Sequence, residues 1–205
     1  MIRTAARTAD ISELVRSANR GDDRAFARLV DLYKDRIYSY VARMLHDPTE
    51  AEDVAQEAFI RAFENMAGFR EASSFQTWLY RIASNLAIDA SRARKRRGVA
   101  DLSLDKPMAT DDGEVERELP TEGRGPEDVA ESAELQEMVA AGIAQLSPKL
   151  RAVMTLYDLA GLSYSEIAKI LGCPVGTVKS RLFNARNQLR AILEDKLDVQ
   201  GLPAE

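Results

Sequence analysis

The chain has one cysteine, Cys173, and one histidine, His46, among 205 residues. One cysteine excludes an internal disulfide and any multi-cysteine zinc site. One histidine leaves no histidine-based metal or catalytic cluster. Cys173 reads as a small turn residue in preference to a redox sensor, and His46 as a polar residue near a helix end. Aromatic residues are scarce, at 6% against 45% hydrophobic and 30% charged residues, as in helix-rich proteins. No apolar run approaches the roughly 18 residues of a membrane span, and the first thirty residues are studded with charge, so no secretory signal is visible. The expected location is the cytoplasm, without membrane insertion. No nucleophile–base pair and no glycine-rich phosphate loop occurs, so catalysis, metal and cofactor are not expected.

The net charge of -5 hides a division. Residues 1–97 carry 17 Lys+Arg against 14 Asp+Glu, residues 98–128 carry 3 against 10, and residues 129–205 carry 8 against 9. The acidity is concentrated in the middle, leaving basic faces on either side. That middle also holds Gly98, Pro107, Gly113, Pro120, Gly123, Gly125 and Pro126, with apolar residues lacking period. It reads as a flexible acidic linker. The expected fold class is all-α: two small helical domains, residues 1–97 and 127–205, joined by the linker 98–126.

Four helices fit the first domain: about Asp10 to Arg20; one starting near Asp23, with a stripe of Phe26, Leu29, Val30, Tyr33, Ile37, Tyr40, Val41 and Met44; one over Thr49–Met66; and one from Phe75 to about Arg97. Thr49 with Glu52 suggests a capping box for the third. Its apolar face runs through Ala51, Val54, Ala55, Ala58, Phe59, Ala62, Phe63 and Met66. In the second domain Pro126 is expected to open a helix to about Leu146, and Ser147-Pro148 another that stops at Gly161.

The most informative stretch is Ser163 to Arg190. Ser163 with Glu166 forms a capping box, and Gly172 ends the helix at low conformational cost. Pro174 suits the first turn of the next helix. Val175, Val178 and Leu182 recur at spacings of three and four, leaving Thr177, Lys179, Ser180, Arg181 and Phe183 outward. No acid occurs from Pro174 through Arg190. This is the pattern of a helix-turn-helix, whose second helix enters a DNA major groove. An ordinary helical hairpin with a solvated basic face is the alternative.

Asp53-Val-Ala-Gln-Glu-Ala-Phe59, Phe75-Gln-Thr-Trp-Leu-Tyr-Arg-Ile-Ala-Ser-Asn85, Leu146-Ser-Pro148, Gly161-Leu-Ser-Tyr-Ser-Glu-Ile-Ala168 and Gly172-Cys-Pro-Val-Gly-Thr-Val-Lys-Ser-Arg181 occur in that order. Together they resemble the extracytoplasmic-function sigma factors of bacterial RNA polymerase, over roughly residues 10–195. The resemblance implies a non-enzymatic initiation factor with sigma regions 2 and 4. Its partners would be core polymerase (the clamp helices of the largest subunit and the flap of the second-largest), promoter DNA and an anti-sigma factor, with a stress or envelope regulon. It implies a core-binding face at Glu50, Glu52, Asp53, Gln56, Glu57 and Arg61, which spacing alone would leave a solvated charged face. Recognition and melting of the -10 element would fall to Phe69, Arg70, Ser73, Ser74, Phe75, Trp78, Tyr80, Arg81, Asn85, Asp89 and Arg92, with the loop 70–74 around a flipped base. The outward face of that helix is expected to carry Gln76, Tyr80, Arg81, Ser84, Asn85, Ile88, Asp89 and Arg92. Trp78, in register with Ile82 and Leu86, is a core position first and a stacking residue second. The -35 element would be read by Lys179, Ser180, Arg181, Phe183 and Asn184, with Thr177, Arg186 and Arg190 on phosphate. Asn184 departs from the arginine of many relatives, and asparagine prefers adenine where arginine reads guanine. The acidic linker would thread the channels of the polymerase.

Overall fold

A computed structural model describes residues 2–70, 73–96 and 137–200. The expected linker 98–126, and the expected helix start at Pro126, lie outside the described residues. All regular elements described are helical: α1 (Ile2–Asn19), α2 (Asp23–Leu45), α3 (Pro48–Glu64), a single 3-10 turn (Met66–Gly68), α4 (Phe75–Arg96), α5 (137–145), α6 (Pro148–Asp158), α7 (Tyr164–Leu171) and α8 (Val175–Gln200). The all-α expectation holds.

Side-chain caps fix most of the boundaries. Asp22 accepts from the amides of Arg24 and Ala25 at 3.0 and 3.2 Å and starts α2. His46 ends α2 in the left-handed conformation, φ 58°. Asp47 then starts α3 by accepting from the amides of Thr49 and Glu50, both at 3.1 Å, with Pro48 in the first turn. This corrects the expected Thr49–Glu52 box. Proline is preorganised for that first turn, so the helix begins earlier and Thr49 falls inside it. Ser74 accepts from the Thr77 amide at 3.1 Å, so a residue expected in the melting loop serves as the cap of α4. The Ser163–Glu166 capping box and the left-handed Gly172 (φ 61°) are both present. Helix α1 begins earlier than expected, and α6 ends at Asp158, before Gly161.

The first unit is organised on α2, which packs against α1, α3 and α4. Its stripe buries Phe26, Leu29, Tyr33, Ile37, Tyr40, Val41 and Met44. Each fully buried large side chain contributes about 1.5–3 kcal/mol. α3 meets this stripe with alanines, Ala51, Ala55, Ala58 and Ala62. α4 inserts Phe75, Leu79, Tyr80, Ala83 and Ala87. Two expectations fail here. Phe63 is 50% exposed, with its ring edge-on to Phe26 at 5.1 Å. Tyr80 and Ser84, expected outward, are buried at 2% and 0% exposure. The side of α4 that carries them faces α2, where Ser84 Oγ meets Tyr40 OH at 2.8 Å and the Tyr80 ring packs edge-on against Tyr40.

The second unit buries Leu150, Ala152, Val153, Met154 and Leu156 of α6, Ile167, Ala168 and Ile170 of α7, and Val178, Leu182 and Ala185 of α8. Val175, expected inside, opens α8 and is 42% exposed. α5 runs so close to α8 that a Cβ on Gly142 would stand 2.7 Å from Leu189 Cδ1. The two units also pack on each other: α2 and α4 against α6, and α4 against α7. The buried apolar residues of both form one cluster.

Candidate nucleic-acid interface

Arg81, Asn85, Asp89 and Arg92 are exposed along one side of α4, at spacings of three and four. Beside them a cleft of about 370 Å³ opens between α4 and the end of α3, lined by Arg61, Asn65, Gly68, Trp78, Ile82 and Asn85. That volume lies within the range of small-ligand clefts, ~300–1,000 Å³. Its walls suit a flat heterocycle: an indole ring, the amide donor and acceptor of Asn85, and a guanidinium. Asn65 is steadied by donating to the Arg61 carbonyl at 2.8 Å. Trp78 and Asn85, both expected in the melting site, are brought together here. Asn65, Gly68 and Ile82 were missed, because their turn and helix positions carry no polar periodicity. Arg61 was grouped with the α3 surface alone.

Phe69 and Phe75 are corrections to the expected DNA contacts, since both are buried. Their rings stand 5.0 and 5.8 Å from Trp78 and form the floor beneath it. Phe75 also packs on Tyr33 at 5.5 Å. The Asn19 amide donates to the Phe69 carbonyl at 2.8 Å, tying this strand of chain to α1. Tyr80 is likewise buried, under α2. Arg70 is exposed and Ser73 is half-buried. The basic end of α4 is divided in its duties. Arg92 lies 3.7 Å from Asp89. Arg94 donates to the Leu45 carbonyl at 2.9 Å and lies 3.8 Å from Glu50.

On α3, Glu52, Asp53 and Gln56 are exposed. Glu57 pairs with Arg61 at 2.7 Å. Glu50 is turned toward Arg94, leaving it the least available of the six expected docking residues. Ile60 and Phe63 extend the stripe with exposed apolar surface that the sequence pattern had not indicated. Asp53, Gln56, Ile60 and Phe63, at spacings of three, four and three, share one face.

On α8 a second stripe runs through Lys179, Phe183, Arg186 and Arg190, all exposed. Thr177, Ser180, Arg181 and Asn184 flank it, half-buried. Ser180 donates to the Thr177 carbonyl at 3.1 Å, and Arg181 Nη1 approaches Cys173 Sγ at 3.7 Å. Arg186 stands 5.4 Å over the Tyr157 ring and 3.4 Å from Asp158, so α6 fixes its aim. Tyr157 in turn stacks on Tyr164 at 5.2 Å. Arg190 pairs with Glu194 at 3.1 Å. Among the described residues no helix is long and apolar enough to cross a membrane.

Family comparisons agree with this layout. Residues 29–97 match the model of sigma-70 region 2, and residues 136–189 that of sigma-70 region 4. The chain is 43% identical over 186 residues to the ECF RNA polymerase sigma factor SigW of Bacillus subtilis, covering 90% of this chain and 97% of that one. It is 41% identical to the RNA polymerase sigma-H factor of Pseudomonas aeruginosa, covering 90% and 94%. Among solved structures, CnrH in complex with the cytosolic domain of CnrY is similar with a TM-score of 0.65 and 25% identity, covering 91% of this chain and 98% of that one.

Proposed function

Because this chain belongs to the extracytoplasmic-function sigma factors of RNA polymerase, we propose that it binds core polymerase, reads -35 and -10 promoter elements and opens the DNA between the polymerase jaws. The polymerase supplies the chemistry and this chain supplies the address. The acidic and apolar stripe of α3 docks on the polymerase clamp. The basic stripe of α8 enters the major groove of the -35 element, with Lys179 and Phe183 toward base edges and Arg186 and Arg190 toward phosphate. The exposed side of α4 meets the -10 element. Residues 1–97 and 127–205 act as sigma regions 2 and 4, and the acidic stretch between them as a tether. CnrH, solved in complex with the cytosolic domain of CnrY, supports a bound protein partner for this chain also, which we read as an anti-sigma factor. A stress or envelope regulon fits such control.

The observation that carries the melting role is the cleft that joins Trp78 and Asn85. Unpairing a base costs a few kcal/mol, and a protein recovers this by holding the extruded base against an aromatic face and polar groups. Run-off transcription with purified core polymerase tests the reading as a whole: specific initiation supports it, and none overturns it. Asn85→Ala tests the cleft. It should slow open-complex formation on duplex promoters roughly fivefold, the worth of a hydrogen bond of about 1 kcal/mol. A promoter already unpaired at -10 should restore much of the rate. Wild-type opening of duplex DNA by this variant, followed by permanganate footprinting, would remove the cleft from the mechanism.

A further inference from the structure

Arg186 and Arg190, both turned toward phosphate in the proposed function, are held differently. Arg190 pairs along its own helix with Glu194, and its side chain is 80% exposed. The side chain of Arg186 is 45% exposed. Its guanidinium carbon lies 5.4 Å from the centre of the Tyr157 ring on α6, within reach of a cation–π contact. That ring is itself held. It stacks on Tyr164 of α7, with centroids 5.2 Å apart and planes 17° from parallel. The two phenols share a hydrogen bond. Burial, and then that hydrogen bond, raise the Tyr164 phenol above its ordinary range, so it stays neutral. Gly161, left-handed at φ 66°, turns the chain between the two tyrosines.

Asp158, the next residue along α6, reaches the same guanidinium at 3.4 Å, with both side chains about half exposed. The two neighbours act differently on it. A carboxylate takes up N–H donors and offsets the positive charge, so an incoming phosphate must displace it. An aromatic face attracts the cation and leaves the planar fork of N–H donors open. A free arginine loses rotamer freedom when a phosphate fixes it, and one already seated loses less.

We propose that Tyr157 is a positioning residue for the -35 contact. Its ring, braced by Tyr164, seats Arg186 so that the guanidinium edge meets a backbone phosphate of the duplex, and Asp158 is the anion that this phosphate displaces. The proposal rests on the sigma-factor reading above. Tyr157 acts through Arg186 and not on the DNA itself. Its contribution is affinity without sequence preference, because a phosphate carries no base identity.

Holoenzyme formed from the full chain and core polymerase tests it, titrated by fluorescence anisotropy onto a labelled promoter duplex chosen by run-off transcription. Tyr157→Phe keeps the ring and should bind as the wild type does. Tyr157→Leu removes the aromatic face and should bind about two- to fivefold more weakly. The same factor should appear on a duplex whose -35 block is scrambled. Asp158→Asn removes the competing anion and should bind up to about fivefold more tightly. Both effects should disappear in an Arg186→Ala background, where neither neighbour has a guanidinium to act on. Arg186→Ala itself should lower the salt slope of binding by about one. Thermal melts check that the Leu variant folds. If it melts below the assay temperature, Tyr157→Met, an unbranched filler of the same space, takes its place. A loss that persists in full without Arg186 would mark Tyr157 as packing alone and overturn the proposal. So would wild-type affinity in the Leu or Met variant, a Phe variant as weak as either, or weaker binding by Asp158→Asn. A wild-type holoenzyme that neither initiates transcription nor prefers the promoter duplex would overturn the sigma-factor reading itself.

Discussion

Tyr40 and Ser84 meet in the middle of the first unit, hydroxyl to hydroxyl at 2.8 Å and fully buried. Burial pushes the Tyr40 phenol well above its usual range, so it stays neutral. Removing one member of such a pair leaves the other desolvated without a partner, which costs more than the bond is worth. Tyr40→Phe should therefore lower stability by about 1–2 kcal/mol in urea denaturation. Tyr40→Phe with Ser84→Ala should recover a good part of that, because no orphan hydroxyl remains. Equal loss in the single and double variants would refute the coupling. This pair was illegible in the sequence. Ser84 has outward helical register relative to Leu79 and Ile82, and nothing local announces that α2 covers it. Phe69 and Phe75 misled for a related reason. Flanking a polar loop, they read as rims of a base pocket, whereas the floor under Trp78 needed their rings.

At the scale of the element, amphipathic spacing and caps carried most of the information. Ser163, Glu166 and Gly172 bounded α7 because their conformational preferences act within a few residues. Asp47 and Thr49 competed for one helix start, and the neighbouring Pro48 decided between them. The charged residues of α3 stand out in the sequence, whereas the exposure of Ile60 and Phe63 does not, because an apolar side chain on a helix reads as core by default. Charge reversal tests the stripe. Asp53→Lys with Glu57→Lys should weaken core-polymerase binding by about tenfold, since like charges are then set against a complementary surface. Helix content should not change, because losing the exposed Glu57–Arg61 pair costs only about 0.3–0.5 kcal/mol. Titration of labelled core polymerase with the variant at wild-type affinity would show that α3 docks elsewhere or not at all.

For the whole molecule the governing fact is the seam, where helices of both units share one apolar cluster and a hydrogen bond from Arg151 to the Met44 carbonyl joins residues 107 apart in the chain. No window of sequence contains both ends, so the acidic stretch between them suggested units held apart. His46 gives the seam a dependence on pH. Burial holds its pKa down to about 4, and the charges of Arg151 on α6, Arg94 on α4 and Arg43 on α2 act in the same direction. The Ala140 backbone of α5 opposes them. The ring is neutral in the closed state and takes up a proton near pH 6.5 once freed. Between those values the open or unfolded chain binds more protons, so closure weakens as pH falls from about 6.5 toward 4 and is unaffected above. Energy transfer between dyes on the two units should decline across that range, and His46→Asn should flatten the decline. A wild-type profile identical to that of His46→Asn would remove the histidine from the seam.

The four carbonyls that Arg151 engages, those of Met44, Ile143, Ala144 and Leu146, belong to the main chain. A main-chain oxygen is present whatever residue occupies the position. Substitutions can therefore accumulate at 44, 143, 144 and 146 without erasing the acceptors, provided the helix ends keep their course. The arginine supplies the donors for all four of these bonds, while the acceptors come from the backbone. A first unit grafted from a distant relative onto this second unit would bring its own oxygen to meet it.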